Sequence, residues 1–456
     1  MIVSASITAL DGDHVLELDA NGTCQFTHSL LREAIYGSML RRERRRLHQA
    51  AAAALTRDGA RDDDRISIVG HHLALGARRL DAGGCYDIAA RRAAALGAFH
   101  DAVELADQGI AALGQDPEPS SELLGLTMTR GNATNATIGY GAPGLYELWC
   151  QAEALAEATG DRLEQSSGMN GQSVIALFDG KYELAVERAD RIVALGQEHD
   201  DRPALVRGYC SRALPQLYAG NVGNALVNAE CAVDLYRDGD YELLTYGFGT
   251  DHLSIAYTTA ATAAHFAGDS REPEFSRLAI EHAIKIESPI TLAMSHNSAA
   301  TLALFAEDPV QAVHHVDEVW GICDRFGLPF FRMVTTLTKA AALAMLGDQS
   351  ATQMAYAALG DAEGGSNLAL TLGIYSVARS EEAAGNLDGA YDLAEMGLGI
   401  VEQHDERLLE VELLRMQLRC RQSVAVAERL TAALPMAHTR GARGSVQLAE
   451  QALETL

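Results

Sequence analysis

A ladder of small and apolar residues recurs about every 40 residues along this chain and constrains its fold more than any other feature. Each copy begins at an alanine and continues four, seven and eight positions later, a spacing that occupies one face of an α-helix. The clearest copies begin at Ala102, Ala185, Ala225, Ala312 and Ala390, and weaker copies follow Gly141, Gly268 and Gly347. This periodicity predicts an all-α solenoid of stacked helix pairs.

A second regularity marks the turn inside each pair. Five residues before the five clear ladders stand, in order, Gly97, Gly180, Gly220, Glu307 and Gly385. Glycine adopts positive φ without a steric penalty, so it suits a tight turn between two helices. Each ladder is therefore the second helix of a pair, and the first helix ends just before this position.

The first 60 residues differ from the rest. Two short runs that alternate in polarity, residues 14–18 and 23–27, flank Asn21 and Gly22, a combination that predicts a β-hairpin. A lone hairpin is marginal in water, so we expect it to pack on the following helix or on a missing neighbour. We divide the chain into residues 1–60, a hairpin with a basic helix, and residues 61–456, a helical array of roughly eight to nine units.

Composition excludes several classes of protein. Residues 1–60 are charge-balanced, so the net charge of -26 falls on the remainder, which makes nucleic acid a poor partner for most of the chain. The seven cysteines are scattered and form no Cys-x-x-Cys pair, which argues against a disulfide framework and a structural zinc site. No apolar run is long enough for a membrane span, and the N-terminus does not resemble a signal peptide. We expect a cytoplasmic protein.

The sequence offers no convincing catalytic, cofactor or metal residue. No phosphate-binding Gly-x-x-x-x-Gly-Lys-Ser/Thr motif occurs, and Gly247 and Gly249 lack the rest of a dinucleotide-binding motif. The adjacent pairs His71–His72 and His314–His315 point about 100° apart on a helix, so neither pair should chelate one ion. The polar stretches 249–252 and 294–297 lack the context of an activated nucleophile. We expect these residues to be solvated, groove-lining or ligand-facing, and the chain not to be an enzyme.

Five arginines crowd the predicted basic helix. They are Arg41, Arg42, Arg44, Arg45 and Arg46. One interpretation is a DNA contact, because a basic helix after a wing-like hairpin can lie on phosphates. The alternative, which the acidic remainder favours, is that these arginines pair with acidic groups of the first repeats.

The N-terminal segment resembles a known junction. Residues 26–36 read F-x-H-x-L-x-R-E-x-x-Y, and residues 44–48 read R-x-x-L-H. The combination is similar to the end of the winged-helix segment in bacterial signal-transduction ATPases of the STAND class. Several later stretches resemble the tetratricopeptide-like repeats of the same proteins: His71–His72, residues 89–93, 99–102, 249–252, 326–329 and 405–415.

The resemblance implies a sensor role. In that family a nucleotide-binding domain precedes the junction, some members carry an adenylate or guanylate cyclase domain, and others end in a LuxR-type helix-turn-helix. The sequence here contains none of these, so we expect a non-catalytic module that binds a protein, peptide or small ligand on the concave face of its repeats. The alternative is a fragment of a cyclase, ATPase or transcriptional regulator that acts only with its missing domains. Ligand identity and oligomeric state stay open.

Overall fold

The computed structural model describes residues 15–18, 24–57, 65–240, 245–246, 250–362 and 368–455. In these ranges the chain forms 22 helices and two short antiparallel strand pairs. The helices up to residue 138 are α1 Ser29–Ser38, α2 Arg41–Arg57, α3 Ile66–Leu75, α4 Arg79–Ala95, α5 Phe99–Leu113 and α6 Ser121–Ile138. The next eight are α7 Leu145–Thr159, α8 Arg162–Phe178, α9 Tyr182–His199, α10 Arg202–Tyr218, α11 Val222–Leu235, α12 His252–Ala267, α13 Glu272–Lys285 and α14 Pro289–Phe305. The last eight are α15 Pro309–Phe326, α16 Pro329–Met345, α17 Ala351–Ala362, α18 Leu370–Ala383, α19 Leu387–His404, α20 Glu410–Cys420, α21 Val424–Thr439 and α22 Arg443–Glu454.

The predicted all-α solenoid is confirmed. From α4 and α5 to α20 and α21, the helices follow one another along the chain as pairs, and each ladder lies on the second helix of its pair. The ladder alanines Ala102, Ala185, Ala225, Ala312 and Ala390 are all fully buried. Alanine at these positions allows the facing helix to approach closely, which is why the ladder is built from small residues.

The turns inside the pairs have the predicted backbone conformation. All five positions before the clear ladders have positive φ, from +58° at Glu307 to +83° at Gly385. In each turn the next amide donates to a carbonyl five residues back, as Lys181 N does to Ala176 O at 2.8 Å, which satisfies the orphan carbonyls of the first helix. Gly268 and Gly347 behave in the same way, whereas near Gly141 the positive φ values belong to Gly139 and Gly144.

Both strands of the predicted hairpin are present. Strand β1, Leu16–Leu18, pairs antiparallel with β2, Cys24–Phe26, with Leu16 opposite Phe26. Asn21 and Gly22 lie outside the described residues. A second short pair, β3 Thr245–Tyr246 with β4 Thr250–Asp251, precedes α12.

The chain divides into two compact units. Unit 1 is Met1–Arg130 and unit 2 is Gly131–Leu456. The core of unit 1 is a cluster of residues from α2, α3 and α4, which includes Ile66, Val69 and Leu73. The boundary predicted at residue 60 marks a change in local structure, whereas these two units are distinguished by their internal contacts. The two divisions are different in kind, so the boundary at residue 60 stays a prediction.

Unit 2 coils far enough to meet itself. Gly223 N donates to Arg440 O at 2.8 Å, and Leu408 N donates to Tyr218 O at 3.2 Å, across roughly 200 residues of sequence. We call this contact the interturn seam, formed by residues 182, 218–223 and 268 on one side and 406–408 and 440–444 on the other. Contacts in unit 2 are therefore not limited to neighbouring pairs, because the coil brings distant repeats edge to edge.

Candidate functional site

The first helices of the pairs form the inner layer of unit 2. Each of α8, α10, α12, α14 and α16 touches the first helix of the next pair, whereas the second helices of successive pairs scarcely touch. Curvature explains the difference, because helices on the inside of a bend lie closer together than those outside. No residue of α10, α12 or α14 is exposed. These three helices therefore present only buried and half-buried side chains.

Two polar stripes run along this inner layer. Thr258, Thr262 and His265 on α12 are half-buried at helical spacing. Thr258 and Thr262 each donate to the carbonyl four residues back, at 2.9 and 3.0 Å, which leaves their oxygen lone pairs available as acceptors. Burial lowers the pKa of His265, which favours its neutral form. On α14, Asn297, Ser298 and Thr301 form a similar half-buried set.

Aromatic rings close one end of the α12 stripe. The His265 ring lies 5.8 Å from the Phe305 ring, which is 5.2 Å from Phe266 and 5.6 Å from Tyr375, measured between centroids. Neutral hydroxyl, amide and imidazole groups beside aromatic rings suit recognition of a polar ligand with an apolar part. They supply neither an activated nucleophile nor a charged acid–base pair.

The polar stretch at 249–252 is structural. Asp251 and His252 are buried, so the expectation that they are solvated is wrong, and Gly249 lies outside the described residues. Asp251 caps α12 by accepting from Leu253 N at 2.8 Å and Ser254 N at 3.2 Å.

The same carboxylate also accepts from its two aromatic neighbours. Tyr236 Oη donates to Asp251 at 2.7 Å, and His282 Nε2 lies 2.9 Å from it. These contacts and the two capping amides occupy both carboxylate oxygens, so Asp251 joins α12 to the preceding loop and to α13.

Another buried carboxylate lies at the interturn seam. Glu406 accepts from Tyr182 Oη at 2.8 Å and from Thr371 N at 2.9 Å, and the Thr371 hydroxyl also donates to it. Burial raises the pKa of Glu406, and these hydrogen bonds oppose that rise. The Tyr182 ring stacks on Tyr218 with centroids 6.2 Å apart. Glu406 thus ties three separate repeats together.

The structure brings each histidine dipeptide to a third histidine. His72 Nδ1 lies 2.8 Å from His48 Nδ1, and His315 Nδ1 lies 3.0 Å from His296 Nδ1. His71 and His314 are exposed, as expected for solvated residues, whereas His72 and His315 are half-buried and paired. The adjacent residues do diverge as expected, and it is the neighbouring helix that supplies the partner.

The second pair should make stability depend on pH. Burial, with the nearby histidines, lowers the pKa of both His296 and His315 from 6.5 to about 4. Because the folded state binds fewer protons than the unfolded state in this window, stability is present above pH 6.5 and is lost as pH falls toward 4. We expect the His296→Phe variant to lose less thermal stability than the wild type between these two pH values, measured by circular dichroism.

His438→Phe is the control for this pH dependence, because His438 is exposed near the end of α21. Its loss of stability should match that of the wild type. An identical loss in all three proteins would show that the pair does not contribute.

The N-terminal segment is poorly covered. No residue of α1 is buried, and Leu30 and Leu40 are among the most exposed large apolar residues of the described chain. In the arginine cluster, Arg46 pairs with Glu43 of the same helix at 3.7 Å, and Arg44 lies over the Tyr36 ring at 5.1 Å. Among the described residues none of these arginines pairs with an acidic group of the repeats, so that interpretation is wrong.

Within the described ranges, no three His, Cys, Asp or Glu side chains are placed to hold one metal ion. Four of the cysteines are buried, Cys85, Cys210, Cys323 and Cys420, and burial raises the pKa of the Cys210 thiol well above its usual value. Such a thiol is a poor nucleophile. None of the helices in the described part is long and apolar enough to cross a membrane.

The sequence analysis did not identify the groups that contact residues far away in the sequence, such as Glu406 and His296. One signal was available for the seam, since Gly441 and Gly444 lie three residues apart near a helix start. Such glycines mark a close approach of two backbones. Nothing in the sequence indicates which residues they meet.

Comparison with solved structures supports the fold. A Rap protein, solved in complex with competence and sporulation factor, aligns with a TM-score of 0.51 and 11% identity over 82% of this chain and 98% of that one. This chain has a tetratricopeptide-like fold. A monomeric mutant of IFIT1 with Gppp-AAAA aligns more weakly, with a TM-score of 0.38 and 11% identity over 86% of this chain and 95% of the other. No protein-family model and no curated protein matches the sequence.

Proposed function

We propose that this chain is a non-catalytic, cytoplasmic regulatory module whose inner helices bind a protein, peptide or small ligand. The inner helices carry this proposal, because α12 and α14 present half-buried hydroxyl, amide and imidazole groups with no charged catalytic group among them. The Rap protein supports this proposal, because it has the same fold and was solved in complex with a bound factor. The net charge of -26 disfavours a nucleic-acid ligand.

We further propose that the module acts as the sensor arm of a STAND-class ATPase. The sequence resemblance at residues 26–48 supports this, and so does the exposed state of α1, whose Leu30 would be covered by a neighbouring domain. A β-hairpin and an unburied helix are marginal alone, so a partner domain would stabilise them. In this arrangement, binding at the inner layer would be transmitted through the repeats to the ATPase.

A bulky cation on the inner layer tests the ligand-binding role. We expect Thr262→Arg to remove the bound partner or small molecule that co-purifies with the wild-type chain from its native host, as identified by mass spectrometry. Val227→Arg is the matched control, because Val227 is 56% exposed on the second helix α11 and should leave capture unchanged. If both variants retain what the wild type retains, the inner layer is not the binding surface.

A further inference from the structure

A cleft of about 440 Å³ lies in unit 1 among α3, α4 and α5. Ile68 and His71 line it from α3, Leu105 lines it from α5, and Tyr86 lines it from α4. Ile68 is 47% exposed and Tyr86 is only 4% exposed, so Tyr86 forms the floor of the cleft. The volume lies in the range of sites that hold small organic groups.

The floor carries a polar group without a partner. Within the described residues the Tyr86 hydroxyl makes no hydrogen bond, although the side chain is more than nine-tenths buried. Burial raises the pKa of Tyr86, so the hydroxyl stays protonated and can both donate and accept. Buried hydroxyls are normally satisfied, so an open one at the floor of a cleft indicates a place for a polar ligand group.

Two glycines allow the Tyr86 ring to lie this deep. A Cβ at Gly70 on α3 would lie 3.2 Å from Tyr86 Cδ2, and one at Gly109 on α5 would lie 2.8 Å from Tyr86 Cβ. Both helices therefore approach the tyrosine closely because these positions have no side chain. This packing fixes the ring between α3 and α5.

A row of oxygen acceptors lines the cleft on α5. Asp101, Glu104 and Gln108 lie on one face of this helix at successive turns. Neither carboxylate forms an ion pair with any residue that the structure describes. The Gln108 amide donates to Glu104 Oε1 at 3.2 Å, which leaves the amide oxygen as a further acceptor. Unpaired carboxylates beside apolar side chains suit a cation with an apolar stem.

We propose that this cleft binds an organic cation on an apolar stem, best fitted by an alkylguanidinium such as an arginine side chain. A guanidinium presents five donors in one plane, which suits a row of acceptors, and it stacks on flat rings such as that of His71. The stem contacts Ile68 and Leu105, and the Tyr86 hydroxyl supplies another acceptor. This inference is independent of the proposed ligand on the inner helices.

The test is a titration of the full chain with butylguanidinium, followed by ligand-observed nuclear magnetic resonance. We expect saturable binding that weakens as the salt concentration rises, because the carboxylates lie near the surface. Asp101→Asn and Glu104→Gln should each weaken binding about threefold or more, and Tyr86→Phe should weaken it without a change in charge. Butylurea, the neutral isostere, should bind about tenfold more weakly.

Glu450→Gln is the matched control, because Glu450 is exposed on α22 and its replacement changes the net charge by the same amount. It should leave binding unchanged, which separates the cleft from a general attraction of cations to a chain with a net charge of -26. Circular dichroism of every variant checks that it is folded.

A pentapeptide with a central arginine distinguishes the two sources of the cation. If the peptide binds more tightly than butylguanidinium, the cleft holds an arginine side chain of a peptide, and equal or weaker binding assigns it to a free organic cation. The proposal is overturned if butylguanidinium shows no saturable binding, if butylurea binds equally well, or if the folded cleft variants bind butylguanidinium as the wild type does.

Discussion

Replacing Gly444 by alanine should destabilise the protein by about 1–3 kcal/mol, although alanine is the better helix former. The Cβ of an alanine at 444 would lie 2.7 Å from Gly268 N and 2.9 Å from Gly268 Cα, closer than real Cβ atoms come. Both are backbone atoms, so neither can rotate away, and the interturn seam has to open. The measurement is the free energy of unfolding from urea titration, with hydrogen exchange to locate the loss near residues 268 and 444.

Gly399→Ala is the matched control for the seam variant. Gly399 lies in the interior of α19, and a Cβ there would meet nothing within 4 Å. Alanine should therefore stabilise the helix by roughly 0.5–1 kcal/mol. If the two substitutions shift the free energy of unfolding in the same direction, the close approach at the seam does not exist in solution.

The Ala225→Leu variant should lose about 1–3 kcal/mol of stability. Ala225 is 0% exposed, and it belongs to a core cluster that contains Leu217 and Val222 from its own repeats together with Ile374 and Val446 from distant ones. Leucine adds three heavy atoms to a site with no spare volume. Hydrogen exchange should show the loss around residues 180–270 and also in the C-terminal repeats across the seam.

Val227→Leu is the matched control for Ala225→Leu. It adds one carbon on the same helix at a side chain that is 56% exposed, so its effect should stay within about 0.5 kcal/mol. If the increase in hydrogen exchange in Ala225→Leu were confined to residues 180–270, it would contradict the coupling between the two sides of the interturn seam. A silent Ala225→Leu would mean that the assigned helix face is wrong.

The helices and their turns could be predicted because their causes are local. A helix face is set by residues three and four apart, so the alanines of each ladder mark the buried face without knowledge of what covers them. A positive φ is a property of one residue, which is why Gly97 and Gly385 indicated their turns. Near Gly141 several glycines stand close together, and the pattern does not indicate which of them adopts the positive φ of the turn.

The contacts between distant repeats could not be predicted, because they depend on how far the array of helices coils. That coiling is the sum of small rotations between successive pairs, and no single pair has a sequence feature that indicates it. That rotation decides that Glu406 meets Tyr182, and that Gly444 meets Gly268. The histidine pairs required a different kind of information, the register between neighbouring helices, which places His315 rather than His314 opposite His296. The periodic sequence by itself determined an all-α repeat with its buried faces and turns. Only the tertiary structure decided which distant residues meet, because those contacts arise from packing geometry and not from local preference.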